Sequence, residues 1–168
     1  MKRSVLAILF WLAIPVEAQT PPVSLPTEWK ATSKTFWHAS IDYPVAASGG
    51  LSLIIGKERA TSIRGYGQLR GMLVNAESGP GGFTGRLGFA RLFQYDAGVD
   101  GFSIEAVYVR PWLLRWGLQS GEDYVGPGVT YRFGYLRVSG AAVVATNGTK
   151  QVRPSVTIGI AVPFRLKK

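Results

Sequence analysis

The sequence predicts an all-β chain folded as a closed, antiparallel up-and-down β-barrel of about eight strands. Three observations predict it. From position 36 onward, apolar and polar residues alternate with a period of two, whereas an amphipathic helix would repeat every 3.6 residues. The alternation breaks into eight runs separated by turn-forming residues. Twenty-one glycines and 12% aromatic residues, against only 17% charged, suit short strands joined by turns.

The first segment reads as an address. Lys2 and Arg3 precede an apolar run over 5–16, and Val16-Glu17-Ala18 offers a cleavage site, the layout of a secretory signal peptide over 1–18. The run is too short to span a bilayer as a helix, which takes about 20 residues. Removal after Ala18 leaves 150 residues, a one-domain length. Residues 19–35 carry Pro21, Pro22 and Pro26 and read as a flexible linker. The barrel is expected over 36–164, followed by a basic tail over 165–168. The absence of cysteine excludes disulfides and thiolate metal sites.

The strands follow in order. The first spans 36–43, with Trp37, Ala39, Ile41 and Tyr43 on one face and His38, Ser40 and Asp42 on the other; Pro44 ends it. The second spans 49–56 around Leu51-Ser52-Leu53-Ile54-Ile55. The third spans 68–78, with Met72, Val74 and Ala76 on one face, and Gly79-Pro80-Gly81-Gly82 turns the chain. The fourth spans 83–93, where Phe83, Leu87, Phe89 and Phe93 oppose Thr84, Arg86, Gly88 and Ala90. In the fifth, 101–112, Phe102, Ile104, Ala106 and Tyr108 oppose Ser103 and Glu105. In the sixth, 124–134, Val125, Val129, Tyr131 and Phe133 oppose Gly126, Gly128, Thr130 and Arg132. The apolar parity then switches from odd to even positions, which requires a tight reversal at Gly134 before the seventh strand, 135–146. Asn147-Gly148 marks another hairpin turn. The eighth strand spans 153–164, with Val156, Ile158, Ile160, Val162 and Phe164 on one face and Ser155, Thr157, Gly159 and Ala161 on the other.

Alternation alone does not say which face is outside. The polar face does. It holds glycine, alanine, serine and threonine, and no lysine falls within the strand runs. A soluble exterior would carry many lysines and glutamates, while small side chains suit the narrow interior of an eight-stranded barrel. The apolar face is therefore expected against lipid. Tyr108, Trp112, Phe133, Tyr135 and Phe164 lie near strand ends, where interfacial aromatic girdles form. Of the inward charges, Glu77 and Glu105 are expected to pair with some of Arg86, Arg132 and Arg137 and to plug the lumen, because an unpaired buried charge is costly. Arg70 shares parity with Met72 and is expected to snorkel toward the interface.

Motifs for chemistry are sparse. His38, Ser40 and Asp42 share one strand face, and a His, a Ser and an acid can form a hydrolase site. The His-x-Ser pattern is similar to that of outer-membrane lipid A deacylases, also eight-stranded barrels. The resemblance would make His38 the base, Ser40 the nucleophile, and Asp42 or Glu58 the orienting acid. It covers three residues, and the family's following Asn is Ile41 here. Gly79 to Thr84 resembles half a dinucleotide loop but opens a strand instead of a helix. One histidine and no cysteine make neither a metal site nor a cofactor site expected. The net charge of +9 is compatible with nucleic acid, but the export signal points instead to a basic rim near anionic head groups.

The region 36–164, with its preceding signal segment, dyad repeats and last strand ending in Phe164, resembles small bacterial outer-membrane barrels of the OmpA-transmembrane or OmpX-like kind. It departs from them in the tail Arg165-Leu166-Lys167-Lys168 and in the short connections over 44–48 and 79–82, which fall on the same side. The resemblance implies a non-enzymatic outer-membrane barrel, structural or partner-binding, in contact with outer-membrane lipid including lipopolysaccharide. No protein partner is indicated. The alternatives are a soluble periplasmic lipocalin-like ligand-binding barrel, a lipid hydrolase using His38 and Ser40, and a channel.

Overall fold

Each strand of the chain is hydrogen-bonded to the next, and the last to the first, so the single sheet closes into a barrel. The computed structural model describes residues 28–42, 46–60, 67–95, 98–113, 117–147 and 151–163. The strands are β1 (Lys30–Asp42), β2 (Ala46–Ala60), β3 (Gly67–Gly79), β4 (Gly82–Tyr95), β5 (Gly98–Pro111), β6 (Tyr124–Phe133), β7 (Leu136–Ala145) and β8 (Arg153–Pro163). The expected signal-peptide segment, most of the expected linker, Phe164 and the tail lie outside the described residues.

The first strand starts earlier than its apolar pattern suggests. Positions 30–35, expected in the linker, belong to β1. They pair with β2 from Lys30↔Glu58 onward, but β8 meets β1 only from Phe36 to Asp42. This stretch is thus a hairpin extension below the closed part of the wall. Apolar alternation is absent there, and pairing with β2 alone gives the stretch its strand conformation.

Register fixes the shape of the ring. The paired residues Ala31, Lys57, Arg70, Arg91, Phe102, Tyr131, Val138 and Ile158 lead round all eight strands and back to β1 at Ile41, a stagger of ten residues. With ordinary strand spacings, that stagger tilts the strands by about 41° and gives a radius of about 8 Å. Such an interior has room for side chains and for little else. The β6–β7 turn is the tight reversal the parity switch requires: Phe133 pairs with Leu136 and Gly134 takes φ 61°, a conformation most residues avoid.

Strand directions put the two ends of the barrel in order. The connections over 61–66, 96–97 and 134–135 lie at one end, with the start of β1 and the end of β8. Those over 43–45, 80–81, 112–123 and 146–152 lie at the other. These are called the lower and upper ends.

Candidate functional site in the lumen and on the outer wall

Strand pleating sends alternate side chains to opposite sides of the wall. On β8, Ser155 and Thr157 are 3% and 1% exposed, while Ile158 and Ile160 are 51% and 45% exposed. The polar parity therefore points into the lumen and the apolar parity points out. The same holds round the ring. Ser52, Asn75, Glu77, Arg86, Ser103, Glu105, Thr130, Arg132, Arg137 and Ser139 are buried, whereas Leu51, Val74, Leu87, Ile104, Val129 and Val138 are exposed.

Both lumen glutamates meet arginines. Arg86 Nη1 lies 3.2 Å from Glu105 Oε2, between adjacent strands β4 and β5. Ser103 and Thr130 also donate to Glu105, at 2.5 and 3.0 Å. Arg137 Nη1 lies 2.5 Å from Glu77 Oε1. That pair joins β7 to β3, four strands apart in a ring of eight, so it bridges the lumen. Asn75 donates to Glu77 at 2.9 Å and to Ser52 at 3.0 Å. Arg132 packs its guanidinium 5.4 Å from the Phe36 ring centroid and reaches Ser52 at 3.5 Å. Three arginines and two glutamates thus share one polar layer with a histidine and several hydroxyls. Burial of two carboxylates is offset here by the several donors each one meets.

Glycine makes the room. Glu77 is paired across the ladder with Gly50, Glu105 with both Gly88 and Gly128, Arg132 with Gly101, and Arg137 with Gly159. A Cβ on Gly50 would lie 2.7 Å from the Glu77 side chain, and one on Gly159 would lie 2.5 Å from Ser40 Oγ. The small residues on the polar parity are therefore the spaces into which the long charged side chains fold.

Apolar clusters close the layer on both sides. Phe36, Ile54, Leu69, Leu73, Ala90, Leu92 and Val99 fill the lower lumen. Val107, Val109, Tyr124 and Val143 fill the upper lumen, joined by Leu118 from the β5–β6 connection, which turns in over the mouth. Gln119 N–H donates to the Tyr124 hydroxyl, which itself donates to Glu122, holding that cap in place. Charges in the middle and hydrocarbon at each end make a filled interior.

The expected hydrolase residues do not assemble. His38 and Ser40 both point inward and are buried. His38 Nε2, however, hydrogen-bonds the hydroxyl of Ser52 on β2, whose oxygen also accepts from Asn75 and Arg132. Ser40 Oγ makes no hydrogen bond among the described residues. Asp42 is the last residue of β1, and its side chain lies outside the described structure. Glu58, the other candidate acid, pairs with Lys34 at 3.2 Å near the lower rim. His38 is thus a member of the lumen network. Sequence reading singled out its charged members and missed Ser52, Asn75, Ser103, Thr130 and Ser139. The signal was available, since all share the inward parity.

The outer wall is uniform. The outward positions of Trp37–Ile41, Leu51–Ile55, Met72–Ala76, Phe83–Phe89, Phe102–Tyr108, Val125–Phe133, Leu136–Val144 and Val156–Val162 carry no charged side chain. Charge resumes outside this band, at Lys57, Arg70 and Arg91 below and at Arg110 above. The aromatics expected at the interfaces divide between the two edges. Trp112 is exposed at the upper end, where Tyr108 donates to Asp123 at 2.6 Å, and Phe133 and Tyr135 are exposed at the lower turn. Phe164 lies outside the described residues. Comparison with known protein families, with curated proteins and with solved structures returns no match.

Proposed function

We propose that this chain is a non-enzymatic barrel of the bacterial outer membrane, crossing the bilayer with its eight strands and serving a structural or partner-binding role. One observation carries the reading: a continuous uncharged apolar band encircles the outside while the ionised side chains between its edges sit in the lumen. In water, that band would be a contiguous apolar surface far larger than the few hundred Å² a soluble monomer ordinarily exposes. In a bilayer it meets hydrocarbon, and over the closed part of the wall each strand has a neighbour on both sides, so no free sheet edge faces lipid there. Strands of 10–15 residues are long enough for the roughly 9–11 needed to cross.

The lipocalin-like alternative calls for an apolar cavity and a polar exterior, the reverse of the observed parity. The channel alternative calls for an open lumen, which the Arg–Glu bridges and apolar caps oppose. The hydrolase alternative loses support because His38 is engaged by Ser52 and not by Ser40.

The test is fractionation and folding. The chain should sediment with outer membranes and show heat-modifiable migration in detergent, since a closed barrel resists unfolding until boiled. Recovery in the soluble periplasm would overturn the proposal.

A further inference from the structure

We infer that the lower rim carries a binding site for the phosphate of an anionic phospholipid, built from Lys57, Arg70 and Arg91 on β2, β3 and β4. The inference rests on the membrane reading and names the headgroup chemistry that reading leaves open.

The three cations form one row. Lys57 is the register partner of Arg70, and Arg70 of Arg91. All three share the outward parity and are exposed. Strands in a ladder are about 4.8 Å apart, so three positive residues stand abreast in register with no opposite charge between them, Arg91 also reaching the Gln68 side-chain oxygen at 2.9 Å. Like charges placed directly opposite destabilise a sheet. Among the described residues, none of the three forms an ion pair, nor does Arg59, two positions below Lys57 on the same face. The acids nearby are engaged elsewhere. Glu58 points the other way and pairs with Lys34, while Asp100 accepts from the Tyr95 hydroxyl at 2.8 Å and the Gly134 amide at 2.7 Å. An arrangement that is unfavourable alone becomes favourable when an anion spans the row.

The surroundings identify the anion as a lipid phosphate. Directly above the row stands another, Ile55, Met72 and Phe89, also register partners and all exposed. The two rows are two residues apart along each strand, about 6.6 Å. Acyl chains lying on the upper row would bring their phosphate to the lower one. Below, the indole of Trp29 sits against two guanidiniums, 3.9 Å from Arg70 and 5.2 Å from Arg59. This stacking holds Arg70 in place and adds an aromatic suited to the headgroup layer.

The test uses the full chain reconstituted into phosphatidylcholine vesicles with or without phosphatidylglycerol, comparing the parent with Lys57→Gln/Arg70→Gln/Arg91→Gln. Without anionic lipid the triple variant should unfold at higher urea, because facing like charges are gone. With phosphatidylglycerol the order should reverse. Phosphatidylglycerol should also co-purify with the parent, its preference falling about fivefold for each row charge removed. Arg110→Gln, at the opposite rim, should leave that preference unchanged. Insertion with equal phosphatidylglycerol retention by parent and triple variant overturns this inference alone. Failure to insert into either vesicle overturns the membrane reading and this inference with it. If inorganic phosphate stabilises the parent as much as phosphatidylglycerol does, the lipid assignment is wrong.

Discussion

On β5, Ser103, Glu105 and Val107 face the lumen, while Phe102, Ile104 and Ala106, each one residue away, face outward. The two faces of the same backbone obey different rules. Outside, the side chains are apolar and exposed, and on the proposed membrane reading their identity matters little beyond polarity. Inside, each glutamate needs a particular partner and a particular empty position beside it. Glu105 needs Arg86, Ser103 and Thr130 as donors, and needs Gly88 and Gly128 to leave it space. The outer face thus specifies an environment, and the inner face specifies a structure.

Breaking the inner face should have the largest effect. Glu105→Leu strands the Arg86 guanidinium in a buried site, and urea unfolding of the reconstituted barrel should show a loss of about 3–5 kcal/mol. Adding Arg86→Met should restore most of it; a double variant as unstable as the single one would mean that the pair is not the reason for the loss.

A charge on the outer face comes next. Val129→Arg should destabilise the barrel by about 2–4 kcal/mol in vesicles. If the observed outer face met water instead of lipid, the same change at exposed Val129 would be nearly neutral, so this variant sharpens the contrast between faces. Filling lumen space should be milder. Gly88→Ala drives a methyl into the β5 backbone at Ile104 and Glu105, so the strand must shift, and it should cost about 1–3 kcal/mol in the same unfolding assay. Smallest of all, Ile158→Leu on the outer wall should change the midpoint by less than about 0.5 kcal/mol. If it proved as damaging as Gly88→Ala, the outer face would be packed against a specific partner instead of lipid. Planar-bilayer recordings on the parent should show no steady conductance, because the polar layer is closed at both ends by apolar side chains.

Much of this was legible in the residues. Period-two patterning located all eight strands, and the parity switch at Gly134 located a hairpin, because pleating is a local property of the backbone. The inward set Glu77, Arg86, Glu105, Arg132 and Arg137 followed from the same parity. The start of β1 was not legible. Ala31 to Thr35 has no apolar stripe, and its strand conformation comes from pairing with β2. Nor was the choice of His38 partner. Ser40 is two positions away in sequence, yet pleating separates the two along the strand, while the ladder brings Ser52 from the next strand beside the imidazole.

The sequence by itself determined which residues alternate, where the chain turns, and that one face is fit for hydrocarbon and the other for a crowded polar interior. Only the closed barrel decided who meets whom. Arg137 reaches Glu77 because β7 and β3 stand opposite each other once eight strands close with a stagger of ten, and Lys57, Arg70 and Arg91 stand abreast because the ladder register aligns them. Alternation is written in neighbouring residues, whereas register and closure depend on hydrogen bonds between strands that are distant along the chain.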